Sequence, residues 1–218
     1  MCFSASASFI AGTSLSAVGV AALRRTVTRA ERPFAMIPLL FGLQQLTEGI
    51  IWQTFSHDAP LLREWMTYLY SGFSHVLWPV YVPFAAGVLE AAGWRKKATF
   101  AFGGVGIAVS FYLLYYMVKT PMVAEIVGRH IVYASPHFYL VPVMALYLAA
   151  TCASCFFSSH GFVRLFGVLV SLSFIAAYII HVTALISIWC FFAAILSLLI
   201  YAHFQFRRRG GSPATAAI

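Results

Sequence analysis

Seven stretches of this sequence are apolar for close to the ~20 residues a helix needs to cross the hydrocarbon core of a bilayer. They lie at about 4–23, 34–55, 66–90, 98–118, 137–157, 162–183 and 186–206. Few folds are open to such a chain, because backbone N–H and C=O groups inside lipid must be satisfied within the segment itself. The expectation is an all-α fold: a polytopic membrane bundle of seven transmembrane helices forming one domain over residues 1–209. A tail at 210–218, rich in Gly, Ala, Ser and Thr, is expected to be disordered. The weakest boundary separates the last two segments, since 162–206 is apolar almost throughout; a tight hairpin near Thr183 to Ser187 divides it.

Only 9% of the residues are charged, against roughly 25% in soluble domains. The net charge of +8 therefore has to be read by position. Arg24, Arg25, Arg29, Arg32, Arg95, Lys96, Lys97, Arg164 and Arg207 to Arg209 fall in alternate loops; the remaining loops hold only Arg63, Lys119 and Arg129. By the positive-inside rule this asymmetry puts the N-terminus out and the C-terminus in. No soluble basic domain is left to bind nucleic acid, so the expected partners are membrane lipids and a lipid-like or small-molecule substrate. The first apolar run is followed, not preceded, by its cations, the reverse of a secretory signal. In the outer loops, Pro60 is expected to open a short helix carrying Glu64 and Trp65. Pro121 to Tyr133, with Glu125, Arg129 and His130, is expected to lie in the interface as an amphipathic helix.

Within the second segment stands Gly42-Leu43-Gln44-Gln45-Leu46-Thr47-Glu48-Gly49-Ile50-Ile51-Trp52. An acid at the bilayer centre costs about 2.5–3.5 kcal/mol on the insertion scale, so Glu48 is either paired or used. Gln44, Glu48 and Trp52 share one helical face, forming one wall of an internal site. Helical rise places Glu48 roughly 10 Å and His75 roughly 13 Å below the outer end of their segments. Cys2, His137, His181 and Trp189 start or end segments on the same side.

Removal of Met1 would leave Cys2 with an amine beside its thiol. Thiolate, carboxylate and imidazole together suit zinc or another transition metal. Cys2, His75, His181 and Glu48 are thus candidate ligands, with Glu48 alternatively the general base on a metal-bound water. Gln44, Gln45, Ser71 and Ser74 are candidate donors around the ligands, and Tyr178 a partner for His181. His137, after Pro136, suits an interfacial cap or a further ligand. The C-x-x-C of Cys152-Ala153-Ser154-Cys155 lacks a thioredoxin context and, with Cys190, reads as helix packing.

The opening Met1-Cys2-Phe3-Ser4-Ala5-Ser6-Ala7-Ser8-Phe9, together with the Gln-Gln-Leu-Thr-Glu-Gly-Ile-Ile-Trp stretch, resembles an uncharacterised family of bacterial integral membrane proteins that begin with an MCFSA motif. The resemblance implies a membrane fold, a bacterial inner (plasma) membrane and a natural start at Met1; it implies no activity. A broader likeness is to the alkaline ceramidase and adiponectin receptor superfamily, seven-helix proteins with a histidine-held zinc. Here the last helix lacks His-x-x-x-His and the candidate ligands lie on the outer side, so the likeness is one of fold alone.

Three readings follow. The first is an outward-facing metal-dependent membrane enzyme, a zinc hydrolase acting on a lipid or amide. The second is a haem or redox protein with His75 and His181 as axial ligands. The third is a proton-coupled transporter, channel or small-ligand receptor using Glu48.

Overall fold

The computed structural model describes residues 4–91, 93–180 and 184–210. They form a helical bundle with a small hairpin at one end: α1 (Ala5–Leu23), α2 (Arg29–Ser56), α3 (Pro60–Leu89), α4 (Trp94–Lys119), β1 (Ala124–Val127), β2 (His130–Tyr133), α5 (Val141–Phe156), α6 (Gly161–Ile180) and α7 (Leu185–Phe206). Six of these helices are long and apolar enough to span a membrane; α5 is apolar but shorter. Six of the seven expected segments appear as span-length helices; in the fifth, expected over 137–157, the helix covers only Val141–Phe156. The expected tail, residues 211–218, and most of the α6–α7 connection, 181–183, lie outside the described residues.

Two expectations are corrected. Residues 121–133 form no amphipathic helix but a β-hairpin, with Ala124 opposite Tyr133 and Val127 opposite His130. Val123, Ile126, Val127, Ile131 and Val132 are β-branched and favour a pleated surface. Gly128, at φ +63°, supplies the left-handed residue at the first position of a two-residue hairpin turn. Ile131 and Tyr133 then point into the bundle, fully or nearly fully buried. The second correction concerns Pro60, which opens the full length of α3 rather than a separate short helix; Trp65 is exposed on its first turns.

The helices meet through small residues. Gly12 lies against Leu46, Gly19 against Leu39, Gly42 against Ser16, and Gly49 against the Phe9 ring, so α1 and α2 pack with their backbones close. This is how membrane helices associate when lipid gives apolar contacts little advantage.

In α3 the ladder is interrupted twice. Residues Gly72–Leu77 form a π-turn, and Pro83, inside the helix, has no N–H to give the Pro79 carbonyl four residues back. Neighbours complete the backbone accounting. The Tyr147 hydroxyl of α5 donates to the Ser74 carbonyl, and Ser110 of α4 donates to the Val76 carbonyl at 2.9 Å. The Cα of Gly106 in α4 is pressed against the Pro79 carbonyl.

At the end away from the hairpin, Glu90 ties two loops. It accepts from the Ser158 hydroxyl and from the Ser159 N–H at 2.9 Å, while Arg95 and Arg164 donate to the Ser158 carbonyl. Burial works to raise the Glu90 carboxyl, but the Ser158 and Ser159 bonds and the nearby His160 overcome it and hold it below the usual carboxylate range. A carboxyl depressed by folding stabilises above its unfolded pKa and loses that contribution as the pH falls through the lower folded value. The thermal midpoint of purified protein should accordingly drop in Glu90→Gln at neutral pH. The gap to the parent should close as the pH is lowered through the carboxylate range.

Gly106→Ala should destabilise by about 1–3 kcal/mol, because a methyl must displace the Pro79 carbonyl. Gly104→Ala, where nothing lies within 4 Å, should leave the midpoint almost unchanged. Thermal melts of the two variants in detergent compare them directly.

Candidate functional site

The hairpin end of the bundle encloses two ionisable side chains, Glu48 on α2 and His75 on the π-turn of α3, both fully buried. Glu48 is reached from two directions. Ser187, in the first turn of α7, donates to Oε1 at 2.9 Å; the Tyr133 hydroxyl, at the end of β2, donates to the same oxygen at 3.4 Å. Tyr133 is in turn stacked on Tyr70 of α3, ring centroids 4.3 Å apart and nearly parallel. Strand β2 packs on the start of α7 and β1 on the first turns of α3, so the hairpin plugs the mouth between these helices.

His75 is held on both sides. Its Nδ1 lies 2.8 Å from the Ser74 hydroxyl and its Nε2 lies 2.8 Å from the Ser135 hydroxyl, and Phe138 covers the ring at 5.3 Å. Ser135 follows the hairpin at the first position of a turn closed by the Phe138 N–H to the Ser135 carbonyl, 3.1 Å. Pro136 occupies the second position, where its fixed φ suits such a turn.

The rest of the α2 wall is polar and buried. The Gln44 Oε1 accepts from the Trp78 indole at 2.8 Å; its Nε2 lies near the Cys190 sulfur without meeting hydrogen-bond geometry. Both amide atoms of Gln45, the indole nitrogen of Trp52 and the Ser71 hydroxyl have no hydrogen-bond partner among the described residues. Gln45, Glu48 and Trp52 are three and four residues apart and so share a face. Unsatisfied buried groups of this kind are uncommon in native proteins and point to water or ligand.

The interior also holds a cavity of about 30 Å³ lined by Phe41, Trp78, Tyr147, Trp189 and Cys190, among others. That is room for about one or two waters. The Trp189 indole donates to the Val170 carbonyl at 3.1 Å.

The residues singled out from sequence fare differently. Gln44, Gln45, Glu48, Ser71, Ser74 and His75 are buried at this end of the bundle, and Trp52 is half-buried against the core. Cys2 and His181 lie outside the described residues. His137 does not open a helix: α5 begins at Val141, and the half-buried imidazole stacks on Tyr116 of α4 at 3.6 Å. Tyr178 is 48% exposed on the outer face of α6, stacked on Phe174. Cys152, Cys155 and Cys190 are buried free thiols, with Cys155 against Gly167 of α6.

No three of His, Cys, Asp and Glu come together among the described residues. Both His75 nitrogens are engaged by serines, so that imidazole reaches a metal only by giving up one of them.

Tyr133, Ser135 and Ser187 were not singled out from sequence. Ser135-Pro136 after a β-branched run is a turn signal that could have marked Ser135.

A family model matches residues 1–216, described only as a family of unknown function, DUF6629. The chain belongs to this family. No curated protein and no solved structure matches it.

Removing the Ser187 hydroxyl should matter more than removing that of Tyr133, because the first bond is 2.9 Å and the second 3.4 Å. A hydrogen bond to a charged group contributes about 1.5–3 kcal/mol. Ser187→Ala should approach that range in thermal or denaturant unfolding, and Tyr133→Phe should fall below it.

Proposed function

We propose that this member of DUF6629 is a membrane-embedded hydrolase that acts on a lipid or amide entering from the bilayer, with Glu48 as its acid–base group. Its seven helices would all cross the membrane, with the N-terminus and the hairpin outside. The loop cations support that orientation, since all but Arg63, Lys119 and Arg129 fall in the alternate set of loops. At ~1.5 Å per residue α5 is about 24 Å long, short of the ~30 Å core. The 135–140 segment, with Phe138 buried and Tyr139 half-buried, fills the remaining depth.

The observation that carries the reading is the polar wall of α2. A fully buried carboxylate stands beside the Gln45 amide and the Trp52 indole, whose N–H groups have no partner among the described residues. One group able to exchange a proton, next to donors fixed in a dry site, is what hydrolysis of an ester or amide needs. The acid–base group contributes about 10²–10⁴-fold, and a donor aimed at the developing oxyanion adds about 10²–10³-fold.

A zinc ion would draw on Glu48 and on the sequence candidates Cys2 and His181, which lie outside the described residues; His75 would join only on release of Ser74 or Ser135. The haem reading needs His181, which lies outside the described residues, and His75, whose two nitrogens lie 2.8 Å from serine hydroxyls.

Purified protein in vesicles of mixed native lipid should release a fatty acid or an amine, detected by mass spectrometry of the lipid fraction. Glu48→Gln, which keeps the shape of the side chain, should slow release by about 10²-fold or more while its thermal midpoint stays within a few degrees. Full activity in Glu48→Gln, or no lipid consumed by the parent protein, would remove the proposal.

A further inference from the structure

Ser74, His75 and Ser135 form a chain of hydrogen bonds whose direction can be worked out. The Ser74 hydroxyl lies 3.3 Å from the Ser71 carbonyl and 2.8 Å from His75 Nδ1. The imidazole also faces that carbonyl, which can only accept, and we place the ring proton on Nδ1 to serve it. Nε2 is left as an acceptor, and the group 2.8 Å from it is the Ser135 hydroxyl, which must donate.

This is the arrangement of an activated serine: a nucleophile hydrogen-bonded to a base that a third group holds in the right tautomer. The third group here is a hydroxyl and not a carboxylate, so it orients the ring without adding charge. Ser135 is also on a tight turn, its side chain fixed against the imidazole at the junction of hairpin and bundle.

We infer that Ser135 is the nucleophile and His75 the base of an acyl-transfer site whose substrate is the ester, thioester or amide of a lipid acyl chain. The inference rests on the hydrolase reading above and specifies how the bond is broken. Ser135 Oγ attacks the acyl carbon while its proton passes to His75 Nε2. The tetrahedral intermediate collapses, the bond to the leaving oxygen, sulfur or nitrogen breaks, and the leaving group takes the proton from Nε2. Water then adds to the acyl-serine as Glu48, the acid–base group proposed above, takes its proton; that proton returns to Ser135 Oγ as the carboxylic acid leaves. Ser74 is a positioning residue throughout.

The acyl class follows from what surrounds the π-turn. On the outer surface of α3 and α4 an apolar groove passes Tyr68, Phe73, Val76, Val80, Phe111 and Leu114, with volumes of about 410 and 330 Å³ in its two adjoining parts. Phe73 and Val76 belong to the same π-turn as His75. A groove of this kind on a membrane-spanning surface is filled by hydrocarbon, and an acyl chain lying in it would bring its carbonyl end toward the turn.

An alkyl fluorophosphonate is the direct probe, since it forms a stable adduct only with an activated serine. Incubated with the whole purified protein in detergent, it should label the peptide containing Ser135. His75→Gln should lower the labelling rate at least tenfold, and Ser74→Ala should lower it less and shift its pH dependence. Ser135→Cys keeps the turn and the bond to the ring; it should lose the phosphonate adduct and react with iodoacetamide at a rate that falls when His75 is also replaced. Lipid hydrolysis without a Ser135 adduct would overturn the nucleophile and leave the hydrolase reading standing. Labelling that His75→Gln does not change would overturn the pair. A Ser135 adduct in a protein that hydrolyses no lipid would overturn the acyl-lipid assignment.

Discussion

The carboxylate of Glu48 is the constraint to which the hairpin end of the molecule answers. Taking a carboxyl group out of water is costly unless its oxygens find partners. What the fold offers is hydroxyl donors delivered from remote parts of the chain: Ser187 from the first turn of α7 and Tyr133 from the hairpin. Each requires its element to sit within hydrogen-bond distance of α2. Satisfying one side chain thus fixes the start of α7 and the hairpin relative to the helix that carries it. The stacking of Tyr133 on Tyr70 extends that constraint to α3.

The same accounting explains α3, the least regular helix of the bundle. A π-turn and two prolines leave carbonyls that lipid cannot satisfy, so irregular backbone survives at membrane depth only where it is buried in protein. Tyr147 and Ser110 cover two of these carbonyls, and Gly106 packs against a third. The wider π-turn is what sets Ser71, Ser74 and His75 facing the interior while Phe73 and Leu77 line the outer groove. Single π-turns inside α-helices often coincide with functional positions, and here the irregularity presents one imidazole to one serine.

The spans were legible because bilayer thickness imposes a length that apolar composition reveals directly. So was the burial of Glu48, Gln44, Gln45 and His75, since a polar residue amid apolar neighbours at helical spacing has few places to go. The partners of Glu48 and His75 were not legible. Tyr133, Ser135 and Ser187 lie 85, 60 and 139 positions along the chain from the groups they meet, and no local pattern encodes such meetings. The segment 121–133 misled for a different reason. Apolar residues spaced through it fit an amphipathic helix, while β-branching and Gly128 favoured strands; burial of Ile131 and Tyr133 in the bundle mouth decided between them.

Two chemically distinct groups, a carboxylate and an imidazole, are served by residues only two positions apart, Tyr133 for Glu48 and Ser135 for His75. The hairpin and the residues after it are thereby tied to both groups at once. A closed plug excludes water, which strengthens every electrostatic contact beneath it. That favours attack by a serine hydroxyl already bonded to its base, because the first step needs no water at all. In the proposed reaction water is needed only to release the acyl group, and the polar hairpin end differs in character from the apolar groove along α3 and α4. A chain entering from the hydrocarbon and water entering from the aqueous face would then meet at Ser135, the one described hydroxyl set between the hairpin and the imidazole.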